Sequence, residues 1–118
     1  SKAFQWKLQG NSAAGYDAEF DGVLYQIKAR RISRRNPSRQ LGAIRRLPEK
    51  TFDMLAAVLF DEHFTVVRAA LIPHEVVLLH AKRVEHTNSW RFILEDKVWQ
   101  MSGVKDVAAA LKLAQDTF

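Results

Sequence analysis

Between residues 16 and 29 apolar and polar side chains alternate with one exception, Leu24, and Asp21-Gly22 falls in the middle of the run. Alternation of this length marks a half-buried strand, and Asp-Gly readily closes a two-residue type I′ hairpin. The flanking strands are therefore expected to pair Phe20 with Val23, Glu19 with Leu24, Ala18 with Tyr25 and Asp17 with Gln26. Successive side chains of a strand point to opposite faces. One face of the ribbon then carries Tyr16, Ala18, Phe20, Val23, Tyr25, Ile27 and Ala29, and the other Asp17, Glu19, Leu24, Gln26 and Lys28. The first belongs against a core, and the second is expected to meet water.

Further along, residues 52–60 and 64–72 are apolar runs of strand length separated by Asp-Glu-His. They predict two buried, antiparallel neighbours in the same sheet. Asn36-Pro37 has the form of an N-cap followed by proline at the first helical position. Leu41, Ile44 and Leu47 follow at helical spacing, so a helix is expected there, ended by Pro48. Its free N–H groups would offer a phosphate site. Pro73 opens another expected helix through Lys82, and residues 89–94 form a short strand. Residues 104–115 place Val104, Val107, Leu111 and Ala114 on one side of an amphipathic helix. With a helix over SKAFQWKLQ, the predicted order is helix, hairpin, helix, two long strands, helix, short strand, helix. This is the pattern of an α/β domain with a central mixed sheet, one domain over residues 1–118.

Composition narrows the classes. A chain of 118 residues that is 47% hydrophobic can build one core and is not composed like a disordered segment. The absence of cysteine excludes disulfide scaffolds, thiolate metal sites and thiol catalysis, and agrees with the cytoplasm as the expected compartment. The longest apolar run, residues 54–60, is too short to span a bilayer.

Charge is localised. Lys28, Arg30, Arg31, Arg34, Arg35, Arg39, Arg45 and Arg46 fall within one stretch that contains no acid, so this stretch is +8, the whole chain +5 and the rest −3. Arginine dominates the stretch, and its planar fork suits bidentate phosphate contact. A phosphate-rich partner is expected, with nucleic acid the leading candidate.

The polar face of the hairpin supplies the chemistry. It brings a carboxylate (Asp17), an amide oxygen (Gln26) and an ammonium (Lys28) within cross-strand reach. Mg²⁺ uses one or two carboxylates together with waters and substrate phosphate. Asp17 and Gln26 are candidate metal ligands, the Ile27 carbonyl is a further oxygen, and Glu19 is a second carboxylate on the same face. Lys28 could hold an attacking water or stabilise charge on a scissile phosphate.

This arrangement resembles the PD-(D/E)xK superfamily, the fold of many restriction endonucleases and of Holliday-junction resolvases. The superfamily motif is an Asp, a short gap, and an acidic-x-Lys triplet on the next strand. Here it is Asp17, eight intervening residues, then Gln26-Ile27-Lys28. NSAAGYDAEFDG, YQIKARR, NPSRQL, FDMLAAVLFDE, AALIPHEVV and HTNSWRF, within residues 11–95, are also similar to a group of prokaryotic restriction-endonuclease-like proteins. The resemblance implies a restriction-endonuclease-like mixed β-sheet flanked by helices, and hydrolysis of DNA phosphodiester bonds. Asp17, Gln26 and Lys28 would be catalytic, with Mg²⁺ or Mn²⁺ held by Asp17, Gln26 and Glu19. Arg30, Arg31, Arg34, Arg35, Arg39, Arg45 and Arg46 would bind the nucleic acid. Cutting a duplex takes two sites, hence a homodimer or a partner subunit.

The chain departs from the pattern in two places. Gln26 stands where most relatives carry Glu or Asp, which lowers the negative charge of the site, although some branches have Q-x-K. Many relatives place a Glu on the helix before the hairpin, whereas SKAFQWKLQ has no acid, so the chain is expected to begin inside that helix. Both departures favour an alternative, a catalytically inactive module of the same fold that binds DNA or serves assembly. A nuclease acting on RNA is a third possibility.

Other polar residues carry less. His63, His74, His80 and His86 do not have the spacing of a metal set and are expected to be structural or exposed. Asp53 and Arg68, inside apolar strands, are expected at solvated strand ends or in ion pairs. Trp90 and Trp99 are expected to pack, and Trp6, near Lys2 and Lys7, is the tryptophan to test for nucleic-acid contact.

Overall fold

The computed structural model describes residues 7–8 and 17–116 of the chain. The hairpin forms in the expected register: β2 (Ala18–Phe20) pairs antiparallel with β3 (Val23–Arg31) through Phe20–Val23, Glu19–Leu24 and Ala18–Tyr25. Asp21 and Gly22 have φ of 52° and 79°, the pair of positive values that a type I′ turn demands. Lys7–Leu8 form a short strand, β1, against β2. The helix expected over the first segment is therefore absent at these two residues, and its remainder, with Trp6 and Tyr16, lies outside the described residues.

On its other side β3 runs parallel to β5 (Met54–Phe60), which pairs antiparallel with β6 (Val66–Pro73). The two-residue β9 (Lys105–Asp106) completes a six-stranded sheet in the order β1-β2-β3-β5-β6-β9. β5 and β6 are buried on both faces, which is why their sequences are almost continuously apolar. A second sheet has the order β4-β8-β7, from β4 (Gln40–Ile44), β8 (Ser89–Ile93) and β7 (Lys82–Val84).

The core has two sides. Leu55, Leu59 and Ile72 of the large sheet pack with Leu41, Ile44 and Phe92 of the small sheet and with Val76 and Val77 of α1 (His74–His80). On the opposite face Ala18 and Tyr25 of the hairpin meet Ala56 and Leu71. Next to them Val58 and Ala69 are covered by Leu111 of α2 (Ala108–Asp116). The result is a mixed sheet with a helix on each face, an α/β arrangement. Among the described residues no helix is long and apolar enough to cross a membrane.

Three expected elements are corrected. Residues 36–47 are not a helix: Gln40–Ile44 is a strand, followed by a 3₁₀ turn at Leu47–Glu49. Leu41 pairs with Phe92 and Ile44 with Trp90, so three steps on β4 oppose two on β8. That bulge turns Leu41 and Ile44 to the same side, imitating helical spacing. With the helix goes its N-terminal phosphate site. The helix after Pro73 ends at His80, because residues 82–84 join the small sheet. The last helix starts at Ala108 rather than 104, since Lys105–Asp106 pair with β6.

Arg68 is partnered, as its place in an apolar strand requires. Its guanidinium lies 2.9 Å from Asp96 and 3.6 Å above the Trp99 ring. Arg39 reaches the same carboxylate at 2.7 Å. The Arg39 hydrogen bond and charge, aided by Arg68, hold Asp96 below its ordinary value of 3.8. A carboxyl with a depressed folded value stabilises the fold above its unfolded value, and that contribution disappears as pH falls through the folded one. Asp96→Asn is therefore expected to flatten the acid limb of melting temperature against pH below about pH 4, as followed by thermal denaturation.

Candidate functional site

The site is built on β3. Its Gln26, Lys28 and Arg30 share a face with Leu55, Ala57 and Leu59, their partners on β5, and Leu24 precedes them on that face. This is the face that the small sheet covers. The polar side of the hairpin is consequently half-buried, where alternation alone predicts a side fully in water. Gln26 is only 9% exposed, while Asp17, Glu19, Leu24 and Lys28 are half-buried.

Asp17 ends the β2–β3 ladder in an unusual way. Its N–H donates to the Tyr25 carbonyl at 2.8 Å. Its side chain then carries on the bonding to β3: Oδ2 accepts the Ile27 N–H at 2.8 Å and the Gln26 side-chain amide at 3.1 Å. Asp53 does the same on the opposite edge of β3. Its Oδ2 accepts the Leu24 N–H at 2.9 Å, and its own N–H donates to the Leu24 carbonyl at 2.7 Å. Tyr25, between them, is pushed above the usual phenol range by burial first and then by the charges of Asp21 and Asp53.

Lys28 lies two residues beyond Gln26 on the same face, and among the described residues its ammonium has no hydrogen-bond or ion-pair partner. Asp17, Gln26 and Lys28 thus share one strand face, with Asp17 and Gln26 in direct contact. Glu19 lies on that face too, beside Leu24.

Asp17 and Gln26 are residues on this face that carry oxygens of the kind Mg²⁺ takes. Asp17 Oδ1 carries no hydrogen bond from a described residue. Gln26 presents its N–H₂ to Asp17, so it would ligate through oxygen after a half-turn of its amide. One carboxylate plus neutral oxygens and water suffices for Mg²⁺. No group of three or more His, Cys, Asp or Glu suited to a metal occurs among the described residues.

The arginine-rich stretch is dispersed by its own structure. Arg30 stays on the Lys28 face, its guanidinium 3.3 Å from the Gln40 carbonyl, while Arg31 points to the opposite face over Phe64. Arg39 is committed to Asp96, Arg45 to the Thr87 carbonyl and Arg46 to Glu49. Arg34 and Arg35 are exposed in the loop after β3 without partners among the described residues. Of the segment, Lys28 and Arg30 remain on the site's strand face, and Arg34 and Arg35 lie in the loop beyond the end of β3. His74 is buried and structural, with Nε2 2.6 Å from the Leu47 carbonyl and its ring edge-on to Phe52. His63, His80 and His86 are exposed.

Comparison with known proteins contributes no relative: no family model matches the chain, and no curated protein matches it.

Proposed function

We propose that the chain is a metal-dependent endonuclease that hydrolyses DNA phosphodiester bonds on a restriction-endonuclease-like version of the α/β fold. The observation that carries this proposal is the 3.1 Å contact between the Asp17 carboxylate and the Gln26 side chain, with Lys28, which has no partner among the described residues, two residues along the same face. Asp17 would hold Mg²⁺ or Mn²⁺ through Oδ1, with the turned Gln26 amide and Glu19 as further donors. When bound, the ion supplies Lewis-acid polarisation of the phosphate and a more acidic water. Lys28 contributes a fixed positive charge beside the scissile phosphate, where charge builds up in the transition state. Arg30, Arg34 and Arg35 grip the flanking backbone. A homodimer or partner subunit would bring the second site that a double-strand cut needs.

Supercoiled plasmid incubated with the protein is expected to be nicked or linearised in Mg²⁺ or Mn²⁺ and left intact in EDTA. Equal cutting in both would remove the metal from the mechanism.

One observation favours a second function, a non-catalytic DNA-binding or assembly module. Asp17 Oδ2 already serves the backbone of β3, a structural duty that needs no metal. Under that alternative the wild-type protein binds DNA in a salt-sensitive way and cuts none in either metal.

A further inference from the structure

The small sheet carries a basic surface that the arginine-rich segment does not contribute. β7 and β8 pair Lys82 directly with Arg91, two like charges on adjacent strands. Both are exposed, and among the described residues neither side chain has a hydrogen-bond or ion-pair partner. Like charges directly opposite in a ladder destabilise a sheet. Phe92 faces the core, so Arg91 and Ile93, on either side of it, point outward. Gly42 of β4 lies beside Arg91 and leaves this face low: a Cβ there would stand 3.9 Å from the Arg91 Cβ. A cleft of about 360 Å³ adjoins the pair, and in its lining Lys97 lies 3.9 Å from Glu95, so Lys82 and Arg91 carry the unbalanced charge.

A protective role explains only part of this. Charged residues on an edge strand block edge-to-edge pairing, which would account for Lys82 on the edge strand β7. Arg91 is on β8, in the middle of the sheet, where there is no edge to guard. An uncompensated like-charge pair on an open sheet face is relieved by a phosphate chain.

We propose that the outer face of the small sheet, at Lys82 and Arg91 with the adjoining cleft, docks the phosphate backbone of duplex DNA. The proposal rests on the nucleic-acid part of the proposed function and not on cleavage. Single strands are held chiefly by stacking on aromatic rings, and among the described residues this face offers none: Phe92 is buried and Trp90 turns to the core side, under Arg83.

The test is fluorescence anisotropy with a labelled duplex across a salt series, on the full chain. Lys82→Ala with Arg91→Ala is expected to weaken binding at least tenfold and to reduce the slope of log affinity against log salt by about 2. Its melting temperature should be unchanged or higher, because a repulsion has been removed, whereas a structural role would lower it. Lys112→Ala, on α2 across the large sheet, should bind as wild type does. Undiminished duplex binding by the double variant overturns this surface, and if Arg34→Ala with Arg35→Ala then weakens binding, the nucleic-acid assignment survives. Tighter binding of a single-stranded RNA of equal length, lost in the double variant, overturns the choice of duplex DNA. Cleavage absent from wild type, with duplex binding lost in the double variant, supports this surface and rejects the nuclease.

Discussion

Lys28→Ala is expected to lower plasmid cleavage in Mg²⁺ by at least about 100-fold, the usual scale for removing one group aimed at transition-state charge. The melting temperature should stay within a degree or two of wild type, because the ammonium has no partner among the described residues to lose. Duplex affinity should fall only slightly, since one cation of several is removed. Loss of cleavage with retained fold and retained binding is a combination that a purely structural lysine cannot produce. If Lys28→Ala cuts as wild type does, the catalytic assignment of this face is wrong.

The second large effect is at Asp17, where two roles must be separated. Asp17→Ala leaves the Ile27 N–H and the Gln26 amide without their acceptor, a loss of about 1–3 kcal/mol for a partly buried donor. The urea midpoint should fall accordingly with an unchanged m value, and exchange of the Ile27 amide proton should accelerate. Asp17→Asn keeps a carbonyl oxygen for the Ile27 N–H but removes the charge a cation needs. Its stability should lie close to wild type, and its cleavage should be as low as that of Asp17→Ala. Full cleavage in Asp17→Asn would reduce Asp17 to a strand-ending device and leave the DNA-binding module as the function.

The hairpin was legible residue by residue because its information is local. Asp21-Gly22 selects the turn, and period-two alternation sets the register, so the Phe20–Val23, Glu19–Leu24 and Ala18–Tyr25 pairs follow. The β5–β6 pair was equally legible from two apolar runs and a short polar turn. The misassigned segment, residues 36–47, failed for a physical reason. A bulge gives a strand the spacing between buried residues that a helix gives, and only the partner strand tells them apart.

The charges show the same division. Composition correctly marked a basic stretch, but strand alternation sends Arg30 and Arg31 to opposite faces, and Asp96 and Glu49 occupy Arg39 and Arg46. Lys82 and Arg91 stand nine positions apart in the chain and read as scattered surface charge until β7 and β8 pair.

The amino-acid order alone determined the turn, the strand faces and the gathering of Asp17, Gln26 and Lys28 on one of them, because these depend on neighbours within a few residues. Tertiary structure alone decided that this face is half-buried instead of fully in water, that the Asp17 side chain bonds to β3, and which basic residues lack partners among the described residues. Those outcomes depend on which distant segments pack together, and segments far apart in the chain leave no periodic trace of the surfaces they will share.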